Sequence, residues 1–232
     1  MVNKFLYPKG GADIAALETG DLLSRKGHQV AFWGMRHPSN QRTHYDRHLA
    51  PHIDYESVRG AGRKMKAAAG IIWSAQARAR ISAVLDDFSP DIVHMHNIAH
   101  QLSPSILGPV VKRKIPMVMS LHDYKLVCPA YNLIRKGTPC SRCSGGRYFH
   151  CLLSSCVKAS RVKSLVNMVE MYLHHRLLHV YDSVGIFIAP SRFLMKKVKE
   201  MGFRGDMVHL PNFMTAVSEK AGDGDDGSVV YA

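Results

Sequence analysis

No run in this chain approaches the roughly 18 consecutive apolar residues that a membrane-spanning helix needs, and its first residues lack the charged-then-apolar layout of a secretion leader. Both absences point to a cytoplasmic protein. Acidic residues are scarce: 18 Asp and Glu stand against 31 Lys and Arg, a formal net charge of +13, with 14 His besides. Such a surface attracts phosphates, nucleic acid or an anionic membrane, which concerns partners rather than fold. Also missing is any interleaving of aromatic and basic residues, or a groove-reading helix, so nucleic acid is not expected as a partner. With 232 residues, 46% apolar and 21% charged, the composition is that of an ordinary globular protein and excludes the disordered and collagen-like classes. The five cysteines, in a reducing compartment, serve more readily as metal ligands or redox groups than as disulfides.

Apolar, β-branched runs alternate with longer stretches of helical period, the layout of a parallel sheet covered by helices on both faces. A Rossmann-like α/β fold is therefore expected. Ala15, Thr19, Leu22 and Leu23 predict a first helix over Gly11 to Gly27, and Gln29 to Trp33 reads as a short strand. Val2 to Phe5 is too short for a usual strand. The basic stretch Arg36 to Lys66 reads as an excursion over the surface, after which helical spacing runs from Lys66 to Phe88. Strands are expected at Asp91 to Asn97, Ile115 to Leu121, Gly185 to Ala189 and Val208 to Leu210. Ser103-Pro104 opens a helix that Gly108-Pro109 should bend or shorten. Further helices are expected over Ser160 to Tyr181 and Ser191 to Met201, and Glu219 to Gly227 reads as a linker before the apolar run Ser228 to Ala232.

In open α/β sheets, ligands bind beyond the carboxyl ends of the strands. Three groups hold such positions in the pattern above. Gly10 and Gly11 join the first apolar run to the first helix, where glycine lets backbone N–H groups approach an anion or simply makes a tight turn. His96-Asn97 and His122-Asp123 each follow a strand, where imidazole can hydrogen-bond a sugar hydroxyl, move a proton or serve the structure alone.

Taken in order, the segments NKFLYPKGGAD, RKGHQV, PDIVHMHN, LHDYKLVCPAY, IAPSRF and LPNF resemble the N-terminal domain of family 4 glycosyltransferases. These are retaining enzymes of the two-domain GT-B architecture, and the chain most resembles the subgroup acting on cell-surface polysaccharide. The resemblance implies an acceptor-side Rossmann-like domain over residues 1–216, with a Cys-rich insertion at 128–156, then a linker and the start of a missing donor-binding domain over 217–232. It also implies roles. The amides of Gly10 and Gly11 would face the donor diphosphate, and Asp13 stands where the family more often has Glu. His122 would reach the hydroxyls of the transferred sugar and support an oxocarbenium-like transition state, with Asp123 orienting it or accepting a hydrogen bond. His96 and Asn97 would line the acceptor side. The implied partners are a nucleotide-sugar donor and a glycan or lipid-linked acceptor, and no cofactor is required for the chemistry. A donor site split between domains loses its positioning when one half is absent, so this chain alone is expected to be inactive. Rival readings are a non-catalytic remnant and a zinc-braced module that binds nucleic acid or another anion.

Cys140, Cys143, Cys151 and Cys156 place four thiols within seventeen residues, with Cys128 twelve residues upstream. Four thiolates can close a structural zinc site with no open position for catalysis; reduced packing thiols or a redox pair are the alternatives. In Ser160 to Tyr181, the apolar Val162, Leu165, Val166, Val169, Tyr172 and Leu173 alternate with Arg161, Lys163, His174, His175 and Arg176. That pattern predicts an amphipathic helix with its apolar face on the sheet, or a basic face in peripheral contact with anionic lipid at the inner face of the membrane.

Overall fold

The computed structural model describes residues 1–52 and 60–213. The expected linker Glu219 to Gly227 and the run after it lie outside the described residues. In chain order the helices and strands are α1 (Gly11–Arg25), α2 (Ala61–Ile72), α3 (Ala75–Phe88), β1 (Val93–Met95), α4 (Leu107–Lys112), β2 (Met117–Ser120), the hairpin β3 (Ile134–Arg135) and β4 (Thr138–Pro139), α5 (Phe149–Leu153), α6 (Arg161–Tyr172), β5 (Ile186–Ala189), α7 (Arg192–Glu200) and β6 (Met207–His209). β1, β2, β5 and β6 pair in that order, all parallel. The Rossmann-like α/β expectation is met.

Val2 makes only isolated bridges, yet it is central: it pairs in parallel with Trp33 on one side and with Met95 on the other. Its N–H donates to the His94 carbonyl at 2.8 Å, and the N–H of His96 donates to its carbonyl at 2.9 Å. Chain order therefore runs outward from Val2 in both directions, through Trp33 on one flank and through β1, β2, β5 and β6 on the other. The reversal between Val2 and β1 is a topological switch point, where ligand crevices form in doubly wound sheets.

Local chemistry accounts for the main departures from the sequence reading. Of Gln29 to Trp33 only Trp33 pairs, and the chain continues through Gly34, where a Cβ would overlap the Asn3 carbonyl. The Arg36 to Lys66 stretch is not simply a surface excursion: Tyr45, Leu49 and Ala50 are buried in the core and Trp33 Nε1 donates to the His48 carbonyl at 2.8 Å. The single helix expected from Lys66 to Phe88 is two helices, because Ser74 adopts an extended conformation and caps α3 by accepting from the Ala77 N–H at 3.2 Å. Gly20 in α1 packs where a Cβ would overlap the Phe32 ring. Pro109 falls in the first turn of the short α4, where its missing N–H leaves no helix bond unmade.

The predicted Ser160 to Tyr181 helix ends earlier, at Tyr172, and continues as a π-turn over Leu173–Leu177 and a 3-10 turn over Val180–Ser183. Its orientation also differs from the expected one. The buried face of α6 carries Ser164, Asn167, Glu170 and Met171, while Val162, Leu165 and Val169 are exposed. Polar side chains can face inward here because their partners are inside: Lys125 Nζ approaches Glu170 Oε2 at 2.6 Å and donates to Asn167 Oδ1 at 3.1 Å. The expected basic face also loses His174, which is fully buried with Nε2 against the Ile72 carbonyl at 2.7 Å. His175 turns in to stack on Tyr181, with ring centroids 4.6 Å apart.

Candidate functional site at the switch point

Side chains alternate faces along a strand. In β1 this sends Val93 and Met95 into the core and places His94, with His96 two residues on, on the opposite face. In β2 the same alternation buries Met117 and Met119 and aligns Ser120 with His122 just beyond it. The two sets meet across the parallel pair. His94 Nε2 lies 2.8 Å from Ser120 Oγ, and His96 Nδ1 lies 2.9 Å from His122 Nε2. The rings form a column, with centroids 4.4 Å apart for His94 and His96 and 5.1 Å for the stacked His96 and His122.

Burial depresses all three imidazoles from the usual 6.5, His94 and His122 to about 4 and His96 to about 2, with the neighbouring imidazoles lowering His94 and His96 further. The column is therefore neutral at physiological pH. A neutral imidazole can donate one hydrogen bond and accept another, which suits a sugar hydroxyl better than a phosphate.

The turn after β2 is shaped by Asp123, whose Oδ1 accepts from the Lys125 N–H at 2.7 Å, the local side-chain bond that makes aspartate a turn former. Burial raises its carboxyl above the ordinary carboxylate range, while Lys125 and Lys4 act in the opposite direction. Lys4 is the residue that the sequence reading missed. It is half-buried, its pKa is lowered by desolvation, and both Asp13 and Asp123 oppose that shift. It thus stands between the acidic side chain of α1 and that of the β2 turn.

Asn3 ties the rim together. Its Nδ2 donates to Asp13 Oδ1 at 2.8 Å in α1, and its Oδ1 accepts from the Asn97 N–H at 3.2 Å beyond β1. The structure thus brings Asp13 and Asn97 together through one amide, and His96 and His122 together directly. The Gly10-Gly11 turn opens α1 from the same edge of the sheet. Gly10 caps the helix with no side-chain bond, in extended conformation, and a Cβ on Gly11 would meet nothing. Neither glycine is demanded by the protein's own packing; the Gly10 N–H is turned to the Asp13 carboxylate, and the N-cap itself offers no side-chain acceptor to the first amides of a 15-residue helix.

The cysteines gather in a separate lobe built from the hairpin and α5. All five are free thiols. Cys151 and Cys156 are hydrogen-bonded to each other, and Cys143 has the other four within electrostatic reach. Burial first, and then mutual repulsion, push Cys143 and Cys151 up to about 12. Among the described residues no three His, Cys, Asp or Glu side chains take up an arrangement that would hold a metal ion. Two concavities, of about 630 and 790 Å³, lie beside the amino ends of β5 and β6 and share Gly205 and Asp206; neither is lined by the imidazole column.

A parallel sheet with a switch point beside Val2, and polar groups collected at its carboxyl edge, defines a Rossmann-like half of the kind that pairs across a cleft in GT-B enzymes. The sequence matches Glycosyltransferase Family 4 over residues 9–215. The chain belongs to that family and is a glycosyltransferase N-terminal domain. Among the curated proteins there is no significant match. Among the described residues, no helix is long and apolar enough to cross a membrane.

Proposed function

We propose that this chain is the acceptor-side half of a retaining hexosyltransferase that moves a sugar from a nucleotide-sugar donor to a glycan or lipid-linked acceptor, in polysaccharide biosynthesis at the cytoplasmic face of a membrane. The observation that carries the reading is His122, a neutral imidazole at the end of β2 whose Nε2 is engaged by His96. That leaves its Nδ1 to meet a hydroxyl of the transferred sugar. The start of α1 at Gly10 and Gly11, which has no N-cap side chain over its first amides, supports a diphosphate contact, for which the Gly10 N–H would exchange the Asp13 carboxylate for phosphate oxygen. Half-buried Lys4 adds positive charge at the same edge.

In the transfer, the acceptor oxygen bonds to the anomeric carbon as the bond to the diphosphate oxygen breaks. The electron pair leaves on the nucleoside diphosphate, and the acceptor's proton goes with it. His122 and Asp123 act on the sugar side, Asn97 on the acceptor side, and His96 from behind His122. A structural zinc at Cys140, Cys143, Cys151 and Cys156 belongs to the proposal on ligand spacing alone, and metal analysis of the purified protein tests it.

The decisive experiment joins the chain to a donor-binding domain and measures sugar transfer with His122→Ala. Loss of about a hundredfold or more in kcat is expected for a group acting only in the transition state. Unchanged turnover removes His122 from the mechanism.

A further inference from the structure

The inside-out helix α6 needs an explanation that the switch-point site does not supply. Val162, Leu165 and Val169 are 72%, 43% and 39% exposed, and their spacing of three and four residues puts them on one face. The opposite face holds Ser164, Asn167 and Glu170 and is buried. A helix of a water-soluble surface is ordinarily arranged the other way. α5, packed alongside α6, adds exposed Phe149 and Leu153, four residues apart. Apolar surface gathered in this way marks a docking face.

Charge identifies the occupant. Between Tyr124 and Tyr181 the sequence has nine Lys and Arg and one acidic residue, Glu170, and that one is buried against Lys125. Arg161 and Lys163 flank the apolar stripe on α6 and are exposed, as are Arg142 and Arg147 before α5. No carboxylate in this segment is available at the surface to repel an anion. An apolar stripe bordered only by cations fits neither a second copy, which would bring the same positive charges face to face, nor a neutral apolar partner. It fits the headgroup and upper acyl region of an anionic bilayer, where apolar side chains insert and Lys and Arg meet lipid phosphate.

We propose that the α5 and α6 face seats this domain on an anionic lipid surface. The inference deepens the proposed function, which sets the enzyme at a membrane, by naming the face and the lipid charge; it uses none of the residues at the switch point, so failure of vesicle binding leaves the sugar-transfer reading standing.

The test is sedimentation of the full chain with vesicles of phosphatidylcholine alone, or of phosphatidylcholine and phosphatidylglycerol in equal parts, with no donor or acceptor present. The chain should sediment with the anionic vesicles and not with the neutral ones, and added salt should weaken the binding. A triple variant, Val162→Ser with Leu165→Ser and Val169→Ser, should lower partitioning about tenfold or more, and so should Arg161→Glu with Lys163→Glu. All five positions are exposed, so circular dichroism should show the variants folded as the parent is. Absence of binding to anionic vesicles overturns the proposal, as does binding that both variants leave unchanged. A concentration-dependent dimer that the triple variant splits would overturn it in favour of a second copy.

Discussion

His96 Nδ1 and His122 Nε2 share one proton across 2.9 Å, and the surroundings of His96 decide which ring owns it. The other nitrogen of His96, Nε2, is buried with no partner among the described residues. Were His122 the donor, neutral His96 would carry its hydrogen on that buried Nε2 as an unmade N–H bond. An orphaned buried donor is among the rarest features of folded proteins. The cheaper arrangement has His96 donate from Nδ1, so that His122 holds its hydrogen on Nδ1 and presents it as a donor. His96 is therefore a positioning residue for His122.

This tautomer can be read directly. Nitrogen-15 spectra should show His122 protonated on Nδ1 in the parent chain and a mixture of both tautomers in His96→Phe. In a two-domain enzyme, His96→Phe should lower kcat about tenfold to a hundredfold with little change in donor KM, and His96→Asn, which keeps an N–H donor, should recover part of it. An Nε2-protonated His122 in the parent would refute the assignment.

The neutral column makes stability fall as acid is added. His94 and His122 titrate at about 4 and His96 at about 2 in the folded chain, and His100 and His175 are lowered as well, to about 4 and about 3. The unfolded chain titrates near 6.5, so below that value it binds more protons than the folded chain does, and the folded state loses ground until the folded pKa values are reached. Each imidazole contributes at most about 1.4 kcal/mol per pH unit in that window. Asp13 and Asp123, raised by burial, take protons first in the folded state and offset part of the loss at its lower end. The thermal midpoint should drop between about pH 7 and about pH 5, and His94→Gln should flatten that slope. A midpoint insensitive to pH across this range contradicts neutral burial.

The thiol lobe gives a chemical reading of burial. Raising Cys143 and Cys151 from 9.0 to about 12 lowers the thiolate population at neutral pH on the order of a thousandfold. Iodoacetamide labelling of the metal-free chain followed by mass spectrometry should find both nearly unreactive when folded and fully reactive in urea. Rapid labelling of either in the folded state would mean that the lobe is open.

Part of the site was legible because apolar strand runs are local. HMHN and LHDY each end an apolar run, so the place of His96 and His122 beyond two strand ends was legible, while the face they share with His94 was not read. Three features were not local. Val2 pairs with residues 31 and 93 positions away, and its five-residue neighbourhood gave no hint of a central place in the sheet. Lys4 carried no signal in the sequence, because the carboxylates that act on it, Asp13 and Asp123, lie 9 and 119 positions further along the chain. For α6 the period showed two stripes correctly, and the apolar one was taken as the inner face because hydrophobic burial is the usual outcome. The structure reverses this through Lys125, a partner 45 residues before Glu170.

That partner also carries the sharpest stability prediction. Glu170 and Lys125 have side chains only 1% and 10% exposed, and the ammonium directs its aligned hydrogen bond to Asn167 Oδ1, which His100 Nε2 also meets at 3.0 Å. The 2.6 Å approach to Glu170 is thus charge pairing in a buried polar network rather than a second aligned bond. Removing one partner strands the other charge away from water, which costs about 3–5 kcal/mol, whereas replacing both with apolar side chains of similar volume costs far less. Lys125→Met and Glu170→Leu should each lower the urea midpoint sharply, and the double variant should recover most of the loss. Because Lys125 lies two residues from Asp123 at the turn after β2, the single variants should also disturb that turn, seen as shifted His122 resonances that the double variant only partly restores. Additive losses in the double variant would show that the two charges do not depend on each other, and α6 would then need another reason to face its polar side inward.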